Sequence, residues 1–279
     1  MEQAMLQKVH TVQMALLREV ARVCRENEIQ WFLCCGTLLG AVRHQGFIPW
    51  DDDVDIGMLR QDYEKFCRLA PSKMDSRFCV QSWYTEPEYP LPFAKVRMRN
   101  TLYVEEKSAV FQENGFYVDV FPFDNGPEGE QEQINHGKKL NDLFRRKLMK
   151  SGYRPWIEQD RVNWVKRIGY LPYVWMACRD TQQALAQQYD ALAVSLPEGH
   201  LVCRQRGLRH LECYPREWFQ ETVPHSFEGE QFPVPVHYHD ILTAQFGDYM
   251  TPPPKEKREN RHQIIQVDFG DGTEIWRAP

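Results

Sequence analysis

Apolar residues recur at helical spacing through residues 3–28, at Leu6, Val9, Val12, Leu16, Val20, Val23 and Cys24. That pattern predicts an amphipathic helix packed on a core. A mostly buried strand is expected over residues 29–35, ended by Gly36-Thr37, with residues 38–42 forming the first turns of a helix. Another helix is expected near residues 60–69. Strands are expected over residues 78–83, 93–99, 101–104 and 116–120. The helical pattern dominates residues 130–196, and a Pro-rich segment closes the chain. The order predicts an α/β fold with a mixed sheet flanked by helices. No repeat or long Gly/Ser linker interrupts it, so one unit over 1–279 is expected, with a catalytic core over 1–125 and a mainly helical part and closing segment over 126–279.

The strongest chemical signal is Trp50-Asp51-Asp52-Asp53-Val54-Asp55-Ile56. In extended backbone alternate side chains share a face, which puts Asp53 and Asp55 together, with Asp51 on the same parity. Like charges that close raise each other's pKa unless a cation neutralises them. An all-oxygen cluster suits a hard divalent ion, Mg²⁺ or Mn²⁺. The competing reading is a solvated acidic turn, but Trp50, Val54 and Ile56 favour a half-buried strand. Upstream, Gly36 and Thr37 at the strand-to-helix junction place backbone N–H groups and a hydroxyl where a phosphate can sit. A phosphate turn followed by an Asp-x-Asp strand is the layout of nucleotidyltransferase-type folds.

Val118-Asp119-Val120 repeats the apolar–Asp–apolar pattern. A carboxylate on a buried strand needs a partner or a metal. A turn-capping role is the structural alternative for Asp119, and Asp124 fits that role better. Lys95, Arg97 and Arg99 alternate along one strand and share a face, either solvated or set against phosphates. Arg43 suits bidentate phosphate contact, and His44 beside it serves substrate or structure equally well.

From Gly36 to Gly57 the chain resembles the LicD phosphocholine transferases almost residue for residue, and shares that signature with the fukutin-related ribitol-phosphate transferases. Lys95-Val96-Arg97, the block from Gly115 to Pro122, and Phe246-Gly247-Asp248-Tyr249-Met250 with Pro252, Pro253 and Arg258 follow in family order. The resemblance spans roughly residues 6–262. Two departures are Cys35, where the family often has Gly, and Phe246, where Tyr is usual. The resemblance implies a nucleotidyltransferase-like core and a metal site at Asp51, Asp53, Asp55 and Asp119, with Asp53, Asp55 and Asp119 catalytic. The role it implies for Asp119 is third ligand, or general base for an acceptor hydroxyl. It also implies phosphate contacts at Gly36, Thr37, Arg43, His44, Lys95 and Arg97.

The implied activity is transfer of a phospho-alcohol, foremost phosphocholine from CDP-choline, onto a sugar hydroxyl of a cell-surface glycan such as a teichoic acid, lipopolysaccharide or capsule precursor. Ribitol, glycerol or ethanolamine phosphate, or true nucleotidyl transfer to a small substrate, are the alternatives. For a quaternary ammonium an aromatic cage is the expected device, and Trp50, Trp83, Tyr84, Tyr89 and Tyr249 are candidates.

Composition adds limits. A net charge of −5 from 34 basic and 39 acidic residues argues against a nucleic-acid partner. No apolar run approaches the roughly 20 residues of a membrane span, and the N-terminus lacks a signal-peptide pattern. A cytoplasmic protein is expected, able to meet the inner membrane face. A basic stretch over residues 138–167 reads as a solvated helix face, or as a surface approaching anionic lipid where a lipid-linked acceptor is presented. The eight cysteines lack a Cys-x-x-Cys pair and read as reduced thiols. Cys203, His210 and Cys213 offer zinc ligands, with spacing that fits no standard pattern.

Overall fold

A computed structural model describes residues 3–106, 114–152, 164–177, 179–205, 211–258, 262–272 and 275–278. Helix α1 (Gln3–Glu26) leads into β1 (Phe32–Leu33), α2 (Cys35–His44), β2 (Asp55–Leu59), α3 (Arg60–Lys73) and β3 (Phe78–Gln81). Strands β4 (Ala94–Met98), β5 (Leu102–Glu105) and β6 (Tyr117–Asn125) follow. Helices α4 (Glu130–Lys150), α5 (Trp164–Ala177) and α6 (Gln182–Ala193) come next. The remainder holds β7 (Leu201–Gln205), β8 (Leu211–Pro215), β9 (Thr222–Phe227), β10 (Glu230–Pro235), α7 (Tyr238–Phe246), β11 (Ile264–Asp268) and β12 (Trp276–Arg277).

The central sheet has the order β1-β2-β6-β4-β3. It is mixed: β2 runs parallel to β6, whereas β1, β4 and β3 join antiparallel. β6 outlasts β4, and its last residues pair with β7, which carries β8. The helical pattern of α1 holds over its whole length, burying Leu16, Leu17, Val20 and Val23 completely. Each large apolar side chain so buried contributes about 1.5–3 kcal/mol. Beneath β2 the rings of Phe32, Phe123 and Phe219 meet, with Phe32 and Phe123 edge to face at 5.2 Å. Gly57 lies between them, and a Cβ there would fall 2.4 Å from Phe32 and 2.6 Å from Phe123. Alanine at position 57 would therefore split this cluster. A second cluster joins Leu140, Phe144 and Leu148 of α4 to Tyr189 and Ala193 of α6.

Two regions depart from the sequence-based expectation. The first strand is short, because Cys35 takes φ +53° and turns the chain into α2 immediately, placing Gly36 and Thr37 inside the helix. The closing segment also contains six strands. In one hairpin, Glu228 (φ +52°) and Gly229 (φ +78°) form the two-residue loop between β9 and β10, with the paired positive φ values that match strand twist. Its Glu228 carboxylate accepts from Phe47 N–H at 3.0 Å, tying the hairpin to the loop that enters the acidic run.

Candidate active site

The acidic run is fixed backbone-first. Asp55 opens β2; its N–H donates to Thr37 Oγ1 (2.8 Å), and its carbonyl accepts from Cys34 N–H (3.1 Å). On the other side Asp119 N–H donates to Val54 O (2.8 Å), and Asp119 is the register partner of Asp55 across the parallel β2–β6 pair. From behind, α1 holds the preceding carbonyls: Gln13 Nε2 donates to Asp52 O (2.6 Å), and His10 Nε2 lies 2.8 Å from Asp51 O. Gly36 packs so closely that a Cβ would sit 2.7 Å from Asp51 Oδ2. Alternation then does what the sequence pattern anticipates. Asp51, Asp53 and Asp55 line one cleft, while Asp52 is fully buried on the other side.

The cleft has a volume of about 530 Å³. Cys35 and Gly36 at the start of α2 face it, as do Arg43, Arg204, Trp50 and Tyr249. Arg43 donates to Tyr249 O (2.8 Å). Burial pushes the Arg43 guanidinium below its usual pKa, and the nearby Arg258 adds to that. Arg258 itself lies over the Trp50 ring at 5.2 Å. Arg43 on the cleft wall, with Arg258 near it, suits an anion.

The cleft carboxylates Asp53 and Asp55 are shifted upward. Burial, then the charge of Asp51, pushes Asp53 well above the usual carboxylate range; burial, then Asp53, does the same to Asp55. Burial also raises Asp119, against the opposing pull of Lys95. Half-buried Asp53 and Asp55 and buried Asp119, all with raised pKa values, are oxygen donors whose charge a hard divalent ion would relieve. Among the described residues, the His, Cys, Asp and Glu ligand atoms that come within 4.8 Å of one another are those of Asp52, Asp53 and His262, so the chemistry fits such an ion around Asp53.

Lys95 Nζ binds Asp119 Oδ1 (2.6 Å) and stands 3.3 Å from the centroid of the Tyr117 ring. Arg97 donates to Gln81 Oε1 and to Gly115 O, both at 2.7 Å. Both cations are buried and neither lines the cleft. Thr37 is likewise buried, its hydroxyl engaged by Asp55, and His44 stands edge-on to Trp50 at 6.2 Å, with its pKa lowered by burial and Arg43. The structure thus gathers Gly36, Arg43, Asp51, Asp53 and Asp55 around the cleft and sets Asp119 beside Asp55. It places Thr37, His44, Lys95 and Arg97 behind that surface. Among the aromatic candidates Trp50 and Tyr249 reach the cleft, whereas Trp83 packs on Tyr189 and Tyr84 donates to Asp190 (2.6 Å). Cys203 and Cys213 are register partners across β7 and β8; His210 lies outside the described residues.

Arg204 and His262 are among the cleft residues that escaped the sequence reading. Arg204, on β7, is buried against Glu212 at 2.5 Å. His262 enters from just before β11, with Nδ1 2.7 Å from Asp52 Oδ1 and Nε2 3.8 Å from Asp53 Oδ2. Burial opposes its charge, but the Asp52 hydrogen bond and the Asp53 charge prevail and raise its pKa to about 10. Nothing local distinguishes His262 in sequence; pairing of β11 with β5 carries it to the site.

Similarity to known proteins makes this chain an enzyme of the phosphotransferase class. Residues 28–151 match the family described as LicD/FKTN/FKRP, nucleotidyltransferase domain. It is 27% identical to the lipopolysaccharide cholinephosphotransferase LicD of Haemophilus influenzae over 268 residues, covering 94% of this chain and 97% of that protein. It is also 30% identical to human ribitol 5-phosphate transferase FKRP over 111 residues, 38% of this chain and 20% of that protein. A shorter match, 45% over 56 residues, joins it to an uncharacterized protein of Rickettsia typhi, covering 20% of this chain and 18% of that one. No helix among the described residues is long and apolar enough to cross a membrane.

Proposed function

We propose that the chain transfers phosphocholine from CDP-choline onto a sugar hydroxyl of a cell-surface glycan precursor. The observation that carries this reading is that Asp51, Asp53, Asp55 and Arg43 line one cleft, with Asp119 beside Asp55 and Arg258 near Arg43. A nucleotide diphosphate carried with a divalent cation needs both kinds of group. The name of the Haemophilus relative, aligned along nearly its whole length, supports choline as the alcohol; the shorter human match supports a phospho-alcohol more broadly.

Asp53, Asp55 and Asp119, assisted by Asp51, would hold Mg²⁺ or Mn²⁺. When bound, that ion supplies Lewis-acid polarisation of the phosphoryl oxygens. Arg43 orients the diphosphate, and Gly36 leaves room for it at the start of α2. The acceptor oxygen attacks the phosphorus that bears the alcohol. A new P–O bond forms as the bridging P–O bond breaks; CMP leaves with the bonding pair, and the hydroxyl proton passes to the acidic wall. We assign Asp119 to the ligand set instead of to proton transfer, because Lys95 already occupies its Oδ1. Trp50 and Tyr249 offer aromatic faces for a trimethylammonium group, which has no hydrogen-bond donors of its own.

A lipid-linked acceptor is consistent with α5, where Ile168, Leu171 and Trp175 are exposed at helical spacing. The basic stretch preceding it is partly internal, since Lys147 is buried on Pro87 O and Gln182, and Arg146 pairs with Asp180.

Thermal-shift screening with Mg²⁺ against CDP-choline, CDP-ethanolamine, CDP-glycerol and CDP-ribitol tests the donor. Stabilisation by CDP-choline is expected. Stabilisation by CDP-ribitol or CDP-glycerol alone would overturn the phosphocholine assignment and leave the metal site standing.

A further inference from the structure

Asp52 and His262 lie 210 residues apart in sequence, yet their side chains meet at 2.7 Å beside the cleft. Asp52 is fully buried, and both of its carboxylate oxygens are engaged. Oδ1 meets His262 Nδ1 at 2.7 Å, and Oδ2 accepts from Tyr103 O–H at 2.5 Å. Gln13 holds its main-chain carbonyl at 2.6 Å. A carboxylate so occupied and turned away from the cleft is placed to orient the imidazole, not to face a cation. Holding Nδ1 fixes the ring plane and aims Nε2 the other way, into the cleft.

There Nε2 comes 3.8 Å from Asp53 Oδ2. Two ligands each about 2.1 Å from a common ion are separated by about 3.0 Å when adjacent and about 4.2 Å when opposite. The observed separation falls between these limits. Ligand atoms of Asp52, Asp53 and His262 also lie within 4.8 Å of one another. In that trio Asp52 supports the imidazole, leaving Asp53 and His262 as the pair that converges on a point in the cleft.

We propose that His262 is a nitrogen ligand of the divalent ion, oriented by Asp52, so that the centre is a mixed nitrogen–oxygen site and not a carboxylate-only one. This rests on the reading that the acidic wall holds the ion. A nitrogen ligand shifts preference from Mg²⁺ toward transition ions such as Mn²⁺.

Pulsed electron paramagnetic resonance of the full chain loaded with Mn²⁺ tests it directly. Wild-type protein should show ¹⁴N modulation from a coordinated imidazole, and ¹⁵N-histidine labelling should convert that modulation to the ¹⁵N pattern without any mutation. His262→Gln should lose it while still binding Mn²⁺ through the carboxylates. Asp52→Asn, which alters the contacts to His262 and Tyr103 without changing a residue that lines the cleft, should weaken Mn²⁺ binding about 10–100-fold. Wild-type Mn²⁺ that binds with no nitrogen coupling, or coupling that persists in His262→Gln, overturns the ligand assignment and leaves the acidic wall intact. Wild-type protein that takes up no Mn²⁺, in a titration where Asp53→Asn behaves identically, overturns the acidic-wall reading itself.

Discussion

Asp55 and Asp119 are register partners across the parallel pair β2 and β6, so two carboxylates from strands 64 positions apart share one face of the sheet, and Lys95 bonds the second of them at 2.6 Å. Parallel pairing at this point brings a later carboxylate beside the acidic run. It adds a third carboxylate to Asp53 and Asp55, with one buried lysine as the counter-charge.

Asp53→Asn and Asp55→Asn should each lower turnover by about 10²-fold or more, because each removes a charge that stabilises the transferring group. The same changes should raise the thermal midpoint of chelated protein by about 2–4 °C for each kcal/mol of repulsion relieved. Calorimetry in EDTA checks this. A lower midpoint would mean that the carboxylates are already compensated without metal.

Lys95→Met should destabilise the protein by about 3–5 kcal/mol, since it leaves Asp119 buried without its partner. Combining it with Asp119→Asn should recover much of that loss. Denaturant unfolding of the four proteins gives the coupling. Additive effects would contradict the pairing and return Lys95 to a direct phosphate role.

These side chains show where the sequence was legible. Parity along residues 51–55 placed Asp51, Asp53 and Asp55 together, because period-2 alternation holds in extended backbone even though only Asp55 begins a regular strand. Parity also put Lys95 and Arg97 on one face, but alternation cannot say what packs against that face; here Asp119, Tyr117 and Gly115 O do. The helix of α1 was legible because seven apolar positions repeat within it. His262 was not, because its position depends on pairing between β11 and β5, a contact of long sequence separation with no local signal. Cys35 stood out as a departure from glycine, and its φ of +53° supplies the reason: glycine adopts that conformation without strain.

In metal-free protein His262 should stabilise the fold in a pH-dependent way. Its folded pKa, about 10, lies above the unfolded value. The contribution is therefore complete below the unfolded pKa of about 6.5 and is lost as pH rises through the folded one. Wild type and His262→Gln, unfolded in EDTA, should differ most near about pH 6 and converge toward about pH 10. A gap that widens with pH would contradict the sign of the Asp52–His262 interaction.

Trp50→Leu should weaken CDP-choline binding by about 2–30-fold, the range of a cation–π contact, while leaving CDP-glycerol binding nearly unchanged. Isothermal titration with both donors separates aromatic recognition of the ammonium from general packing. Equal losses for the two would assign Trp50 to the structure around Arg258 instead.

The central claim is that the alcohol-bearing phosphoryl group moves and the nucleotide leaves. ³¹P NMR of CDP-choline with Mg²⁺, the enzyme and a cell-surface glycan acceptor follows both halves of the donor at once. The account predicts loss of the diphosphate signals, growth of CMP, and one new phosphodiester resonance on the sugar that retains choline, with no reaction in the Asp53→Asn protein. Release of free phosphocholine with CMP attached to the acceptor would contradict it.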